Sequence, residues 1–346
     1  MNFGIIGSGS WGTALAKILT DNKNKINWWL RSDSSISSFK NRRHNPRYLS
    51  TAFFDTGLIN FSTSAQAVID QSDTIILVIP SAFTAEVLGD LPKDIFNGKR
   101  IISAVKGVVP EKNVLLNEFL KSEFGVELSN YFTVLGPCHA EEVAAEKLSY
   151  LTFSGIDVEM TRDIACHFKT AYLNTLHNTD IYGVQYAAIL KNIYAIAAGI
   201  AHGLDYGDNF LSVLIANSAD EMAGFLRKAG IQNVEVGTIE HQTPARADHP
   251  VTNYAASVYL GDLLVTCYSL YSRNRTLGNM IGKGYSVQSA QLEMNMVAEG
   301  YNASRCMFLI NQKVGAEMPI AETVYKILWN GLPADEGLSE IENVLV

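Results

Sequence analysis

Asn2 to Leu19 reads NFGIIGSGSWGTALAKIL, and its punctuation decides the fold. A short β-type run, residues 2–6, passes directly into Gly7-Ser8-Gly9-Ser10-Trp11-Gly12, after which residues 13–19 have helical composition. A GxGxxG spacing is a weak signal alone. Between a strand and a helix it describes a turn with three separate needs for glycine. Gly7 permits the tight turn, Gly9 lets a pyrophosphate approach the backbone, and Gly12 lets the helix lie close to the strand. The helix N-terminus then offers N–H groups and positive dipole to phosphates. The stretch implies a Rossmann-type dinucleotide-binding domain.

Outward from that turn the first half keeps a βαβ rhythm, with strand-like runs at 26–30, 74–79 and 100–105 and two more expected at 132–135 and 150–154. TIILVI, residues 74–79, is apolar without alternation, as a parallel strand covered on both faces should be. The second strand, INWWL, is followed by Arg31 where NAD-specific domains carry an acid. An arginine there suits a 2′-phosphate and favours NADP(H) over NAD(H). Beyond residue 180 strand-like runs become scarce and helical patterns take over at 181–202, 209–228, 262–270 and 286–299. The expected architecture is α/β plus all-α: a nucleotide-binding domain over 1–179 and a helical substrate and catalytic domain over 180–346. Residues 246–261 read as a connection, and 333–346 as a loosely held acidic tail.

The chain has 346 residues and a net charge of -8, which argues against a nucleic-acid binder and leaves room only for local anion pockets. Four widely spaced cysteines show neither CxxC spacing nor a neighbouring His cluster, so neither zinc nor a disulfide framework is expected and a reducing, cytoplasmic setting fits. No HExxH or other metal-ligand spacing occurs, and no metal is expected. The N-terminus reads as a strand start rather than a signal peptide, and no membrane span is expected.

AAILKNIYAIAAGI, residues 187–200, carries Lys191 and Asn192 in an otherwise apolar run. A lysine there must snorkel to water, pair with a buried acid or do chemistry, because an isolated buried ammonium is costly. Lys106, in SAVKGV, follows an expected strand, where ligands of open α/β sheets sit. Asp262 and Thr266 are spaced i, i+4 and share a helix face. Ser272 to Arg275, SRNR, sets two arginines around Asn274, a fork suited to a dianionic phosphate. His139, in GPCHAEE, reads as a loop histidine.

GSGSWGTALA, SAVKGV, LGPCHAEEV, LKNIYAIAAGI, GDLLVTC and SRNR, in this order, resemble the sn-glycerol-3-phosphate dehydrogenases that use NAD(P). The resemblance spans nearly the whole chain. It implies that the helical domain is of the 6-phosphogluconate-dehydrogenase-like type and that the reaction interconverts dihydroxyacetone phosphate and sn-glycerol 3-phosphate, for phospholipid synthesis. Carried over by position, it puts Ser10, Trp11, Arg31, Tyr48, Lys106, Ala140, Arg273, Val297 and Glu299 beside the dinucleotide. Gly136, Cys138, Lys106, Lys191, Asn192, Asp262, Ser272, Arg273 and Asn274 would form the substrate set. Two departures from the pattern stand out: Cys138, where the family has a hydroxyl, and SVYLGD, where it has a more Gly-rich approach to the aspartate.

Reducing a ketone by hydride requires an acid positioned at the carbonyl oxygen. Lys191 is the expected acid, oriented by Asp262, with Lys106 as a neighbouring cation and Thr266 and Asn192 in the polar shell. NADPH is the expected cofactor, with NADH usable, and a homodimer is the expected assembly. Two other readings keep the Rossmann domain: a related two-domain dehydrogenase of another small hydroxy or keto acid, and a non-catalytic NADPH-binding sensor.

Overall fold

Phe3–Ile6 forms the first strand, β1, of a computed structural model that describes residues 1–231, 257–294 and 297–346. The other strands are β2 (Ile26–Trp29), β3 (Ile59–Ser62), β4 (Thr74–Leu77), β5 (Arg100–Ser103), β6 (Tyr131–Leu135), β7 (Ser149–Ser154) and β8 (Leu173–Asn178). They make one sheet in the order β3-β2-β1-β4-β5-β6-β7-β8. From β3 to β6 every pairing is parallel, which is the doubly wound Rossmann order. β7 then runs antiparallel to β6 and β8 parallel to β7, extending the sheet by two strands. Residues 26–29 and 74–77 are strands as the sequence predicts, whereas β3 and β8 were not legible.

The strand order puts the ends of β1, β2 and β6 on one edge of the sheet. Gly7, Arg31 and Gly136 therefore leave the same carboxyl edge, where open α/β sheets bind ligands. Phe3, Ile5, Trp28, Ile76, Phe132 and Phe153 are completely or almost completely buried in this unit's core. Lys17 on the opening helix (Ser10–Asp21) is also buried, and its ammonium meets Asp21 at 2.7 Å and Glu146 at 3.0 Å. Tyr172 donates its hydroxyl to the same Asp21 at 2.6 Å. These contacts fasten the short helix Ala140–Ala144, just before Glu146, to the opening helix.

Among the described residues the chain forms two compact units, 1–105 with 115–181 and 106–114 with 182–231 and 257–346. The segment 106–114 lies before the change in sequence character but belongs to the helical unit. The axis of that unit is the 23-residue helix Ile181–Gly203, apolar on every side and long enough to cross a membrane; 94% of its most apolar window is buried inside the protein. Glycines set its closest neighbour. A Cβ on Gly199 would lie 2.1 Å from the Arg275 carbonyl oxygen, and one on Gly278 would lie 2.1 Å from that of Ile196. Gly203 and Gly282 repeat the contact one turn further on, so helix Arg273–Gly282 crosses backbone against backbone.

Two readings of the helical half require correction. The single helix expected over 286–299 is two, Val287–Glu293 and Glu299–Val314. The expected tail is held: Ala334–Glu342 is a helix that buries Leu338 and Ile341, because its acids face water while its few apolar residues recur at helical spacing. Asn217 also fixes the terminal residue, donating to the Val346 carbonyl at 2.9 Å. Most of the connection read at 246–261 lies outside the described residues.

Candidate active site

The nucleotide turn follows β1 as the sequence requires. Gly7 has φ +129°, and a Cβ there would approach the Val78 carbonyl oxygen to 2.4 Å. A Cβ on Gly12 would press to 2.4 Å on the Gly7 carbonyl oxygen. Gly9 is different: a Cβ there would meet no protein atom within 4 Å, so its glycine keeps space clear above the turn rather than relieving an internal clash. That cradle fits a pyrophosphate. The opening helix starts at Ser10 and Trp11 with no side-chain cap on Gly9, and a helix N-terminus directs N–H groups and positive dipole at an anion.

Arg31 is exposed two residues beyond β2, and Ser32 next to it caps helix Asp33–Arg42. Tyr48 is half-buried and its N–H bonds Asn45 Oδ1 at 3.3 Å. Gly136 has φ +147°, with a would-be Cβ 2.7 Å from the Tyr150 carbonyl. Cys138 Sγ donates to that carbonyl at 3.1 Å, so the thiol that stands for the family's hydroxyl is used internally. Ala140 begins the helix pinned through Glu146, and His139 precedes it.

In the helical unit the structure brings three of the expected residues, Asp262, Thr266 and Lys106, around the Lys191 charge. Lys191 is almost completely buried; its ammonium donates to Asp262 Oδ1 and, at 3.1 Å, to Thr266 Oγ1. Thr266 is held by donating to the Asp262 carbonyl at 2.6 Å, the i, i+4 geometry of helix Asp262–Tyr268. The other carboxylate oxygen of Asp262 lies 3.9 Å from the Lys106 ammonium and accepts no hydrogen bond among the described residues. Lys106 is the more accessible cation, its side chain 19% exposed. Burial lowers the Lys191 pKa to about 8; the adjacent Asp262 carboxylate opposes this, and the Lys106 ammonium adds to it.

Asn192 and Asn274 are engaged with the protein. Asn192 donates to the carbonyls of Lys106 at 3.1 Å and Ala188 at 3.0 Å, and accepts from Asn274 at 2.8 Å. Asn274 in turn accepts from the Gly300 N–H at 2.9 Å. Both N–H groups of Asn192 are thus committed, one of them to the Lys106 backbone. Ser272 caps helix Arg273–Gly282, and Arg273, exposed at its start, donates to the Val297 carbonyl at 3.2 Å; Glu299 opens the following helix. The two-arginine fork does not form. Residues two apart on a helix point to different faces, and Arg275 is partly buried near Cys267. Tyr259, in the second departure from the family pattern, is buried in the wide-turn helix Ser257–Gly261.

Two residues that organise this chemistry were missed in the sequence, Asn45 and Gly300. Asn45-Pro46 is a turn signal and nothing more at that level. A Cβ on Gly300 would lie 2.5 Å from the Asn192 carbonyl oxygen, a requirement of the fold with no local signature.

Comparison with known proteins agrees with both halves. Family models described as the N-terminus and the C-terminus of NAD-dependent glycerol-3-phosphate dehydrogenase match residues 2–161 and 180–339. The chain is 34% identical over 328 residues to glycerol-3-phosphate dehydrogenase (NAD(P)+) of Bacillus cytotoxicus, covering 94% of this chain and 91% of that protein. It resembles the crystal structure of glycerol-3-phosphate dehydrogenase from Coxiella burnetii with a TM-score of 0.85 at 28% identity, over 98% of each chain. A ketopantoate reductase from Ralstonia eutropha shares the fold at a TM-score of 0.56 and 13% identity, over 98% of this chain and 100% of that one. A glycine turn shaped for a pyrophosphate, a buried lysine held by an aspartate, and these matches along nearly the whole length place the chain in the NAD-dependent glycerol-3-phosphate dehydrogenase family.

Proposed function

We propose that this chain interconverts dihydroxyacetone phosphate and sn-glycerol 3-phosphate, with Lys191 as the general acid in reduction and the general base in oxidation. The observation that carries the reading is the buried Lys191 ammonium, fixed by Asp262 and Thr266 and lowered to about 8. Efficient proton transfer needs a group whose pKa lies near the working pH, and a solvated lysine is too weak an acid. Bound NAD(P)H supplies the hydride. Gly7, Gly9 and Gly12, with Ser10 and Trp11, would hold its pyrophosphate, and Tyr48 and Ala140 would line it.

As negative charge develops on the carbonyl oxygen, Lys191 gives it a proton and the Lys106 ammonium stabilises it. Asp262 keeps the Lys191 ammonium aimed and balances it while charged. Arg273 with Ser272 and Asn274 anchors the substrate phosphate away from the reacting carbon. Arg31 favours NADPH over NADH. The product serves phospholipid synthesis in the cytoplasm. A sensor without chemistry has no use for a lysine buried at the cost of its charge, and the likeness to ketopantoate reductase is one of fold.

The test follows NADPH absorbance with dihydroxyacetone phosphate and repeats it with NADH. Turnover is expected, with NADPH preferred. Lys191→Ala should lower kcat by about 100-fold or more while NADPH still binds. Turnover near that of the wild type would remove Lys191 from the chemistry, and a NADPH-to-NADH ratio unaltered by Arg31→Asp would remove the cofactor preference.

A further inference from the structure

We infer that Asn45 and Thr13 are positioning residues for the dinucleotide, acting through the carbonyl groups of the glycine turn; this rests on the proposed use of that turn for NAD(P)H. A turn that binds a pyrophosphate has to present N–H groups to it and keep C=O groups turned away, since a carbonyl oxygen aimed at a phosphate is repelled. Three consecutive carbonyls of this turn are each held by a donor from within the protein. Gly7 O accepts from Trp28 Nε1 at 3.0 Å. Ser8 O accepts from Asn45 Nδ2 at 3.1 Å. Gly9 O accepts from both the N–H and the hydroxyl of Thr13, each at 2.9 Å.

Asn45 is the centre of this arrangement. Its amide nitrogen also donates to Thr13 Oγ1 at 2.8 Å, which turns the Thr13 proton towards Gly9 O. Its oxygen accepts from the N–H groups of Arg47 at 3.0 Å and Tyr48 at 3.3 Å. All four hydrogen-bonding positions of one side chain are filled, and the residue is 3% exposed. Asn45 therefore cannot be a ligand for the cofactor by its amide. It fixes the direction of Ser8 O and, through Thr13, of Gly9 O, and it ties the Tyr48 backbone to the same turn.

The experiment measures NADPH affinity directly, by titrating nicotinamide fluorescence, alongside the steady-state KM and kcat and the melting temperature. Losing one buried hydrogen bond to the turn should weaken NADPH by about ten-fold. Thr13→Val should show that loss, and Thr13→Ser, which keeps the hydroxyl, should restore affinity. Asn45→Ala should weaken NADPH at least as much, with the change falling on the dissociation constant and KM for NADPH and little on the KM for dihydroxyacetone phosphate. If Asn45→Ala fails to fold, the Thr13 pair decides. Folded Thr13→Val with NADPH affinity within two-fold of the wild type, or a drop in melting temperature with no change in affinity, overturns the inference. A wild-type chain that does not bind NADPH overturns the cofactor reading as well.

Discussion

At the scale of single residues, Lys191 was legible because a charge inside an apolar run has to be explained energetically. Asp262 and Thr266 were legible because helical spacing puts them on one face. Asn45 was not, since a buried amide serving three neighbouring backbone groups leaves no periodic trace. Arg275 was misread because counting charges in SRNR ignored the 100° step between successive helical residues. The Lys191 assignment has a pH signature. Oxidation of sn-glycerol 3-phosphate needs the neutral amine, so its kcat/KM should rise as pH passes upward through about 8; reduction of dihydroxyacetone phosphate needs the ammonium and should fall over the same range. Initial-rate profiles in both directions between pH 6 and about 10 check this, and profiles flat through that region would sink the assignment.

At the scale of elements, strands in the middle of the parallel sheet announced themselves as unbroken apolar runs, whereas β3 and β8 did not. Both are the outermost strands of the sheet, and β8 reads LNTLHN with polar residues throughout, so its identity comes from pairing with β7. The glycines divide in the same way between fold and function. At Gly199 a side chain would strike backbone, which cannot rotate aside, so Gly199→Ala should destabilise by roughly 3 kcal/mol and lower the melting temperature. At Gly9 a methyl group meets no protein, so Gly9→Ala should keep the melting temperature and lose NADPH affinity. Thermal denaturation with and without NADPH separates the two outcomes; equal behaviour of the variants would refute the division.

At the scale of the whole molecule, the C-terminal helices are held by a buried acid from far upstream. Glu221, on helix Asp208–Lys228, accepts from the N–H groups of Ile320 at 2.8 Å and Ala321 at 3.0 Å, capping helix Pro319–Trp329. Burial pushes its pKa up to about 7 from an ordinary 4.5, against the pull of those two N–H groups and the Tyr194 hydroxyl and with a push from Glu322. A carboxyl that resists ionisation in the folded state contributes stability below its unfolded pKa and loses it as pH rises through the folded one. Urea unfolding should therefore show stability declining between pH 5 and about 7, with the decline smaller in Glu221→Gln. An equal slope in both proteins would show that other groups set the dependence.

The passage of 106–114 into the helical unit has a consequence for recombination between relatives. The sequence invites a cut near residue 180, yet the Lys106 backbone is anchored by Asn192 from the other side of that cut. A chimera joined there would pair one parent's lysine loop with the other parent's anchor. Exchange of the helical half as a working module has to carry residues 106–114 with it, which makes the heritable unit of this active site discontinuous in the gene.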